Sequence, residues 1–369
     1  MLIFPRIVEA IQLHQINESY FLTSRLTWRL FHVTLTGHGA PLRDTQGMYS
    51  GYGPESMKRI LLPHLICPTC LPKEYPLRLT VHREMEDDIV AGILSCGKCN
   101  RRFPIREGIA HLLPNPDSGP SGGQWRYEEG GMTDRYLWSH YGDLLGDPDS
   151  GTAGAQWAAS LADHISAAFE AGCSVGRITF EMAARSDLAV GCDLSGNFIK
   201  TARRLARDRH LEFTLPLEGN LLENFSLSLP ESWRTDNVEF IVADALRIPF
   251  ARDTFCQVAS INVLDRVSYP LAHLFEMNRV ARSRHASFLF ADPFSWSAGP
   301  ATEELWLGGT MTGPYPGRGA KNVRSLLEGQ GNILVPPWRI ERAETIAWRM
   351  RTHCNHYEVI KSDSLSAAR

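Results

Sequence analysis

The stretch AAFEAGCSVGRITFEMAAR, residues 167–185, decides the fold of this 369-residue chain. Its apolar first part predicts a strand that ends at Glu170, after which Gly172-Cys173-Ser174-Val175-Gly176 leads into a helix. Glycines at a strand-to-helix turn let a ligand approach the backbone closely. The dinucleotide-binding order GxGxxG is not present, because Arg177 follows Gly176. The stretch therefore predicts a ligand-binding turn of a different kind.

Strands and helices alternate from this turn toward the end of the chain. Such alternation predicts an α/β fold with a doubly wound, mostly parallel sheet. The strand candidates are residues 166–171, 187–192, 238–243, 256–262 and 286–291.

Polar residues follow three of the predicted strands. Asp193 lies 21 residues after Gly172, at the end of an apolar run, where a carboxylate can accept hydrogen bonds from two ribose hydroxyls. Asp244 and Ala245 follow the third strand, and Asn262 follows the fourth. Because the carboxyl ends of parallel strands form the ligand crevice of such sheets, these residues are candidates for one binding site.

The order and spacing of these segments resemble the Rossmann-like S-adenosylmethionine-dependent methyltransferases over about residues 137–300. The resemblance implies a seven-stranded sheet, a transferase activity and S-adenosylmethionine as cofactor. In that family the acidic residue two positions before the first glycine faces the amino-acid end of the cofactor. The cofactor-binding residues implied here are Glu170, Gly172, Ser174, Gly176, Asp193, Asp244, Ala245 and Asn262.

Two departures from the family pattern concern the predicted site. Ser174 stands where the middle glycine is usual, and we expect a serine to fit there if its backbone is not left-handed. An insertion at about 210–236 separates the second and third strands and predicts a hairpin near the active site.

Four cysteines form two CxxC pairs, Cys67/Cys70 and Cys96/Cys99, separated by 25 residues. Two such turns predict a closed tetrahedral sulfur site for structural zinc, with a hairpin filling the space between them. Residues 57–114 resemble the tRNA methyltransferase activator subunit family, a small zinc ribbon that docks onto methyltransferases. The predicted organisation is a poorly structured extension at 1–56, a zinc ribbon at 57–114, a linker at 115–136 and a methyltransferase domain at 137–369.

The methyl acceptor has a weaker signature. The Asn-Pro-Pro-Tyr motif of enzymes that methylate amino groups of bases or of glutamine is missing, since residues 262–265 read Asn-Val-Leu-Asp. Residues 255–310 resemble methyltransferases assigned to mercaptohistidine N-methylation, through NVLDRVSYP, DPFSW and EELWLGG. We therefore expect the methyl acceptor to be a small metabolite, for example one with a thiol or imidazole group. The alternatives are an RNA or protein substrate recognised by the ribbon, and a non-catalytic cofactor-binding scaffold.

Three side chains are candidates for a catalytic base. Asp265 lies at the mouth of the fourth strand, and His353 and His356 lie in the basic segment WRIERAETIAWRMRTHCNHYEVI. That segment predicts either a lid that binds an anionic acceptor or an edge strand with a basic outer face.

Bulk properties agree with a cytoplasmic enzyme. The formal net charge is −3, too near neutral to indicate nucleic-acid binding from electrostatics alone. The chain has no apolar run near the ~20 residues of a membrane span and no signal-peptide pattern, so no membrane partner is predicted. We also expect the true translation start to be Met57 or Met48.

Overall fold

A computed structural model describes residues 56–86, 88–114, 127–128 and 131–369, and these residues belong to one compact unit. The predicted extension up to residue 55, with the proposed alternative starts, and most of the predicted linker lie outside the described residues. The boundary between ribbon and methyltransferase domain stays a prediction.

The cysteine-bearing segment folds into four antiparallel strands behind two short 3-10 helices. The helices span Arg59–His64 and Pro68–Cys70. The residues between the two CxxC pairs form a hairpin, as expected. The strands are β1 (Leu77–Met85), β2 (Asp88–Cys96), β3 (Arg102–Arg106) and β4 (Ile109–Leu112).

The rest of the described chain alternates helices and strands. It begins with α1 (Met132–His140), α2 (Gly142–Leu145) and α3 (Ala153–Ala158), followed by β5 (Ile165–Ala171), α4 (Arg177–Ala183), β6 (Ser186–Asp193) and α5 (Gly196–Asp208). It continues with β7 (His210–Glu218), β8 (Leu221–Ser228), β9 (Val238–Ala243), β10 (Gln257–Ile261), α6 (Pro270–Val280), β11 (Ser287–Asp292), α7 (Gly319–Leu327), β12 (Arg339–His353) and β13 (His356–Ala368). Short 3-10 turns cover Leu264–Arg266, Glu303–Leu305 and Gln330–Asn332.

Eleven of the described strands form one sheet in the order β1-β2-β3-β4-β9-β6-β5-β10-β11-β13-β12. The seven strands from β9 to β12 are the predicted methyltransferase-type sheet, in which β9, β6, β5, β10 and β11 are parallel and β13 is antiparallel. In the sheet, β6 lies on one side of β5 and β10 lies on the other side. This reversal of strand order opens a crevice at the carboxyl ends of the strands.

The ribbon continues the same sheet. Strand β4 pairs in parallel with β9, with His111 opposite Val242 and Leu112 opposite Ala243. Its apolar residues join a core shared with the parallel sheet, where Phe103 and Phe169 are both fully buried. Sharing a core removes the need for a separate ribbon core, which about 50 residues could hardly supply.

A buried ion pair network fixes this junction. Glu239 on β9 is 1% exposed and accepts hydrogen bonds from the Lys58 backbone N–H at 3.0 Å and from Arg203 Nη1 at 2.9 Å. Because a buried carboxylate is stable only with such partners, Glu239 links the ribbon to α5 through charge as well as packing.

Two hairpins complete the fold. The insertion forms the β7–β8 hairpin, as predicted, and Glu223 on it pairs with the buried Arg351 of β12 at 2.6 Å. Among the described strands, β12 lies at the edge of the large sheet and pairs only with β13. Within the described ranges, no helix has the length and apolar character needed to cross a membrane.

Candidate functional site

The turn between β5 and α4 has an unusual backbone. Gly172 and Gly176 have φ of +69° and +87°, the left-handed region that glycine adopts without steric penalty. A Cβ on Gly172 would lie 2.4 Å from Val263 Cγ2, and one on Gly176 would lie 2.7 Å from Phe240 Cζ. Both positions therefore require glycine for packing as well as for conformation.

Ser174 does not meet the condition under which we expected a serine to fit this turn, which was a backbone outside the left-handed region. Its φ is +50°, so its backbone is left-handed even though it carries a side chain. Left-handed serine is strained by about 1 kcal/mol or more and is held there by surrounding contacts. One such contact is the Ser174 backbone N–H, which donates to Asp193 Oδ2 at 2.9 Å. The Ser174 side-chain Oγ is buried and meets no hydrogen-bond partner among the described residues.

Two buried carboxylates lie beside this turn. Asp193 ends β6, and its Oδ1 accepts from the Ser195 backbone N–H at 2.9 Å. Burial raises the pKa of Asp193 to about 6, partly offset by these backbone donors. Glu170 is 4% exposed, accepts a hydrogen bond from Thr179 Oγ1, and has its pKa raised to about 8 by burial. Protein donors alone thus leave both carboxylates incompletely compensated.

The next strand ends supply Asp244 and Asn262. Asp244 Oδ1 accepts from the Leu246 backbone N–H at 2.8 Å, and burial raises the pKa of this carboxyl. Asn262 has a left-handed φ of +58°, and its Oδ1 accepts from Ser362 Oγ at 2.6 Å. These contacts orient both side chains at the crevice.

One cavity of about 1090 Å³ joins these strand ends. Its strand-end wall contains Glu170, Gly172, Ser174, Asp193, Asp244, Ala245 and Asn262, which are seven of the eight predicted cofactor residues. Gly176 is not on the wall, because it packs behind the turn against Phe240.

The rest of the cavity lining comes from elements in which the sequence shows no functional motif. Helix α1 contributes Arg135, Tyr136 and His140, and the β12–β13 hairpin contributes Trp348 and Met350, among others. The end of the ribbon reaches the same cavity through His111, Leu113 and Pro114. Sequence reasoning missed these residues, because aromatic side chains at helical spacing are equally typical of an ordinary core.

The three candidate bases lie elsewhere, and this corrects their placement. Asp265 is 2% exposed and lies behind the cavity, where its Oδ2 accepts from the Ser295 backbone N–H at 3.1 Å. His353 and His356 face each other across the β12–β13 turn and are not on the cavity wall. The hairpin extends past the cavity, so its tip carries these two histidines beyond the site.

The basic C-terminal segment consists of the edge strand β12, the turn after it and the start of β13. Arg339 and Arg342 pair with Glu341 and Glu344 on the surface, while Arg351 is buried against Glu223. Its charges are therefore satisfied locally, and the part of β12 that reaches the cavity is Trp348 to Thr352.

The four cysteines Cys67, Cys70, Cys96 and Cys99 converge. All four Sγ atoms lie within 4.8 Å of one another, with Cys67 to Cys99 at 3.6 Å and Cys70 to Cys96 at 3.8 Å. Sulfurs bound tetrahedrally to zinc at about 2.3 Å lie about 3.8 Å apart, so this cluster fits a structural zinc ion.

Known protein families match both parts of the chain. Residues 169–285 match the methyltransferase domain family, and residues 58–108 match the Trm112p-like protein family. The fold and the first match define the class, which is a methyltransferase. The chain carries a methyltransferase domain and a Trm112p-like domain in the same polypeptide.

Solved structures of low identity resemble the chain. A SAM-dependent methyltransferase from Aquifex aeolicus is 14% identical, with 64% of this chain and 96% of that chain covered and a TM-score of 0.37. Magnesium protoporphyrin IX methyltransferase from Synechocystis is 17% identical, with 66% and 94% covered and a TM-score of 0.37. The complex of the Haloferax volcanii Trm112 methyltransferase activator with a methyltransferase is 14% identical, with 58% and 80% covered and a TM-score of 0.32. No curated protein sequence matches this chain.

Proposed function

We propose that this protein binds S-adenosylmethionine at the strand-end wall and transfers its methyl group to a small metabolite. One observation carries the proposal: seven of the eight residues expected to hold the cofactor converge on one cavity at the reversal of strand order. That is the position where open α/β sheets bind ligands.

The wall offers groups that suit each part of the cofactor. Asp193, held by two backbone N–H donors, can accept hydrogen bonds from ribose hydroxyls. Glu170 can face the amino group at the other end of the cofactor, and Asp244 with Ala245 can hold the adenine ring. The raised pKa values of Glu170, about 8, and Asp193, about 6, support these roles, because ligand donors would supply the missing compensation.

The cofactor supplies a methyl group that is already activated by its positive sulfur. The protein therefore has to orient the acceptor in line with that methyl and keep water away. The aromatic side chains of α1 and β12 can do both, since Tyr136 and Trp348 line the same cavity as the strand ends.

The size of the cavity supports a small acceptor. Ligand pockets of about 300–1,000 Å³ hold one drug-sized molecule, so about 1090 Å³ gives room for the cofactor and a second small molecule. The missing Asn-Pro-Pro-Tyr motif and the formal net charge of −3 support the same choice over RNA.

The test is calorimetric titration of S-adenosylhomocysteine into the full-length chain and into Asp193→Ala. We expect micromolar binding that Asp193→Ala weakens by about a hundredfold, since a buried carboxylate loses two hydrogen bonds to ligand. Asp187→Ala is the matched control, because Asp187 is exposed at the other end of the same strand. Absence of binding to folded protein would contradict the proposal and favour a scaffold. Strongly salt-dependent binding of tRNA would favour an RNA substrate.

We also propose that the four cysteines hold one structural zinc ion. Metal analysis should find about one zinc per chain, and Cys99→Ser should lose it together with the β4–β9 pairing that the ribbon supports. Cys354→Ser is the control, because Cys354 lies far from the cluster on the β12–β13 turn. Equal zinc content in both variants would refute this assignment.

A further inference from the structure

We propose that the side of the cavity between α1 and β12 binds a planar ring carrying an acidic X–H group, and that His140 accepts its proton during methyl transfer. Here X is nitrogen, oxygen or sulfur. This inference rests on the proposed function, because it names the acceptor class for the same cavity.

Three rings form the aromatic wall, which we define as Tyr136, His140 and Trp348. The ring centroids of Tyr136 and His140 are 5.3 Å apart, those of His140 and Trp348 are 6.2 Å apart, and those of Tyr136 and Trp348 are 6.5 Å apart. Tyr136 and His140 share one face of α1, as residues four apart do, and all three rings line the cavity. Rings at such separations offer stacking and edge contacts that favour a planar ligand.

The aromatic wall meets the cofactor side through Phe198. Its ring centroid is 4.8 Å from that of Tyr136, and Phe198 lies at the start of α5, just after Asp193 and Ser195. A ring held against the aromatic wall would therefore share the cavity with a cofactor bound at Asp193.

The His140 imidazole has no hydrogen-bond partner among the described residues, although its backbone oxygen accepts from Arg177 Nη1 at 3.3 Å. Its neighbours are the Tyr136 and Trp348 rings and the Arg177 guanidinium, which is itself paired with Asp143 and Glu181. Burial, and secondarily the charge of Arg177, lowers the pKa of His140 to about 4. The ring is thus neutral near pH 7, and one of its nitrogens is available to accept a proton.

A weak base suffices for this chemistry. The X lone pair forms the bond to the methyl carbon while the carbon–sulfur bond breaks, and that electron pair returns to sulfur to leave a neutral thioether. The X–H group becomes far more acidic as X acquires positive charge, so its proton can pass to the His140 nitrogen late in the step. The imidazolium formed then releases the proton to water.

Two donors on the same side could hold a polar substituent of the ring. Trp348 Nε1 is buried and meets no acceptor among the described residues. Arg135 lines the cavity one residue before Tyr136 and has no ion pair within the described part of the chain. A buried N–H without an acceptor and an unpaired guanidinium, contributed by two residues of the same cavity lining, favour a ligand with an acceptor such as a carboxylate.

The first experiment measures ring binding in the full-length chain saturated with S-adenosylhomocysteine. The probes are 4-hydroxybenzoate, imidazole-4-carboxylate and 4-mercaptobenzoate, with trans-4-hydroxycyclohexanecarboxylate as the non-planar control. In protein labelled with ¹⁵N-histidine, we expect at least one planar probe to shift the His140 signal saturably and the control to leave it unchanged. The signal is assigned by its loss in His140→Gln, with exposed His82→Gln as the matched variant.

Substitutions locate the binding. Tyr136→Leu and Trp348→Leu should each weaken binding of the probe by about fivefold, since an aromatic contact is worth about 1 kcal/mol beyond its buried area. S-adenosylhomocysteine affinity should stay within about twofold. If no planar probe binds to protein that binds S-adenosylhomocysteine, or if the cyclohexane acid binds equally, this inference is wrong while the proposed function stands. If S-adenosylhomocysteine itself fails to bind, both are wrong.

Proton acceptance is tested with a pair of ligands. 4-Hydroxybenzoate should move the unprotonated ¹⁵N resonance of His140 in the direction of hydrogen bonding, while 4-methoxybenzoate, which lacks the proton, should not. Equal shifts from the two ligands, or a His140 ring already charged at about pH 6, would remove the role of His140 as proton acceptor.

Discussion

The two sides of the cavity are built by different rules. The strand-end wall consists of short polar residues and glycines fixed by backbone contacts, such as the N–H donors of Ser174 and Ser195 to Asp193. The aromatic wall consists of large rings from α1 and β12 that contact one another. The first wall positions atoms through the backbone, and the second through side-chain packing.

This contrast separates two tasks. A wall defined by backbone geometry suits a ligand that is the same in many enzymes, such as a shared cofactor. A wall of side chains can change with few substitutions and leave the fold intact, which suits an acceptor that differs between enzymes. Substitutions on one wall should therefore leave the affinity for the ligand of the other wall nearly unchanged.

The largest loss of ligand affinity is expected for Gly172→Ala. The new Cβ would lie 2.4 Å from Val263 Cγ2 and would stand on a φ of +69°. Strain and overpacking together amount to about 3 kcal/mol, and we expect the free protein to relieve them by moving the turn out of its binding geometry. Restoring that geometry on binding then costs about the same amount, which predicts about a hundredfold loss of S-adenosylhomocysteine affinity. Gly146→Ala is the control, since Gly146 has a φ of +68°, a Cβ there meets nothing within 4 Å, and the residue is not on the cavity wall. Equal affinities for the two variants in calorimetry would contradict the backbone-defined wall.

The second effect is a pH dependence centred on Glu170. Its folded pKa of about 8 lies above the unfolded value near 4.3, so the ligand-free folded state binds more protons between these pH values. Its contribution to stability is therefore fully present below about pH 4 and is lost as pH rises through 8.

Glu170→Gln should remove this dependence. We expect the free energy of unfolding, measured by urea titration without ligand, to fall by roughly 3 to 4 kcal/mol more for the parent than for Glu170→Gln between about pH 5 and pH 8. Parallel curves of unfolding free energy against pH for the two proteins would show that burial does not raise the pKa of Glu170.

A smaller effect is expected for Ser174→Gly. Glycine adopts a φ of +50° without penalty, so the free energy of unfolding should rise by up to about 1 kcal/mol. Binding of S-adenosylhomocysteine should persist. Ser174→Ala keeps the Cβ and removes only the buried Oγ, so it separates backbone strain from the hydroxyl. Greater stability of Ser174→Ala than of Ser174→Gly in thermal unfolding would argue against strain at this residue.

The smallest effect on the cofactor side is expected for Arg135→Met. Arg135 lines the cavity from α1 and makes no ion pair with the described residues. Its replacement by an unbranched apolar side chain should change S-adenosylhomocysteine affinity by about twofold or less. A loss of tenfold or more would mean that the two walls share one ligand.

The strand-end wall was predictable because its signals are local. The turn after Glu170 and the acidic residues at Asp193 and Asp244 occur at strand ends that the apolar pattern marks. Parallel pairing brings such ends together, and the structure places them on one cavity. The backbone of Ser174 was not predictable, because a left-handed φ depends on tertiary contacts such as that with Asp193.

The aromatic wall could not be predicted in the same way. Tyr136 and Trp348 are 212 positions apart in the sequence and meet only because β12 folds back along the edge of the sheet. The histidines chosen from the basic C-terminal segment, His353 and His356, are a few residues beyond Trp348 yet leave the cavity, because a strand rises about 3.4 Å per residue.

The sequence by itself determined the class of fold, the cysteine cluster and the strand-end residues, because each depends on periodicity or on short spacing along the chain. Tertiary structure decided how the ribbon joins the sheet through β4 and β9, and which histidine reaches the cavity. The physical reason is distance along the chain: local backbone preferences are written in neighbouring residues, whereas contacts between remote segments depend on the packing of the whole core.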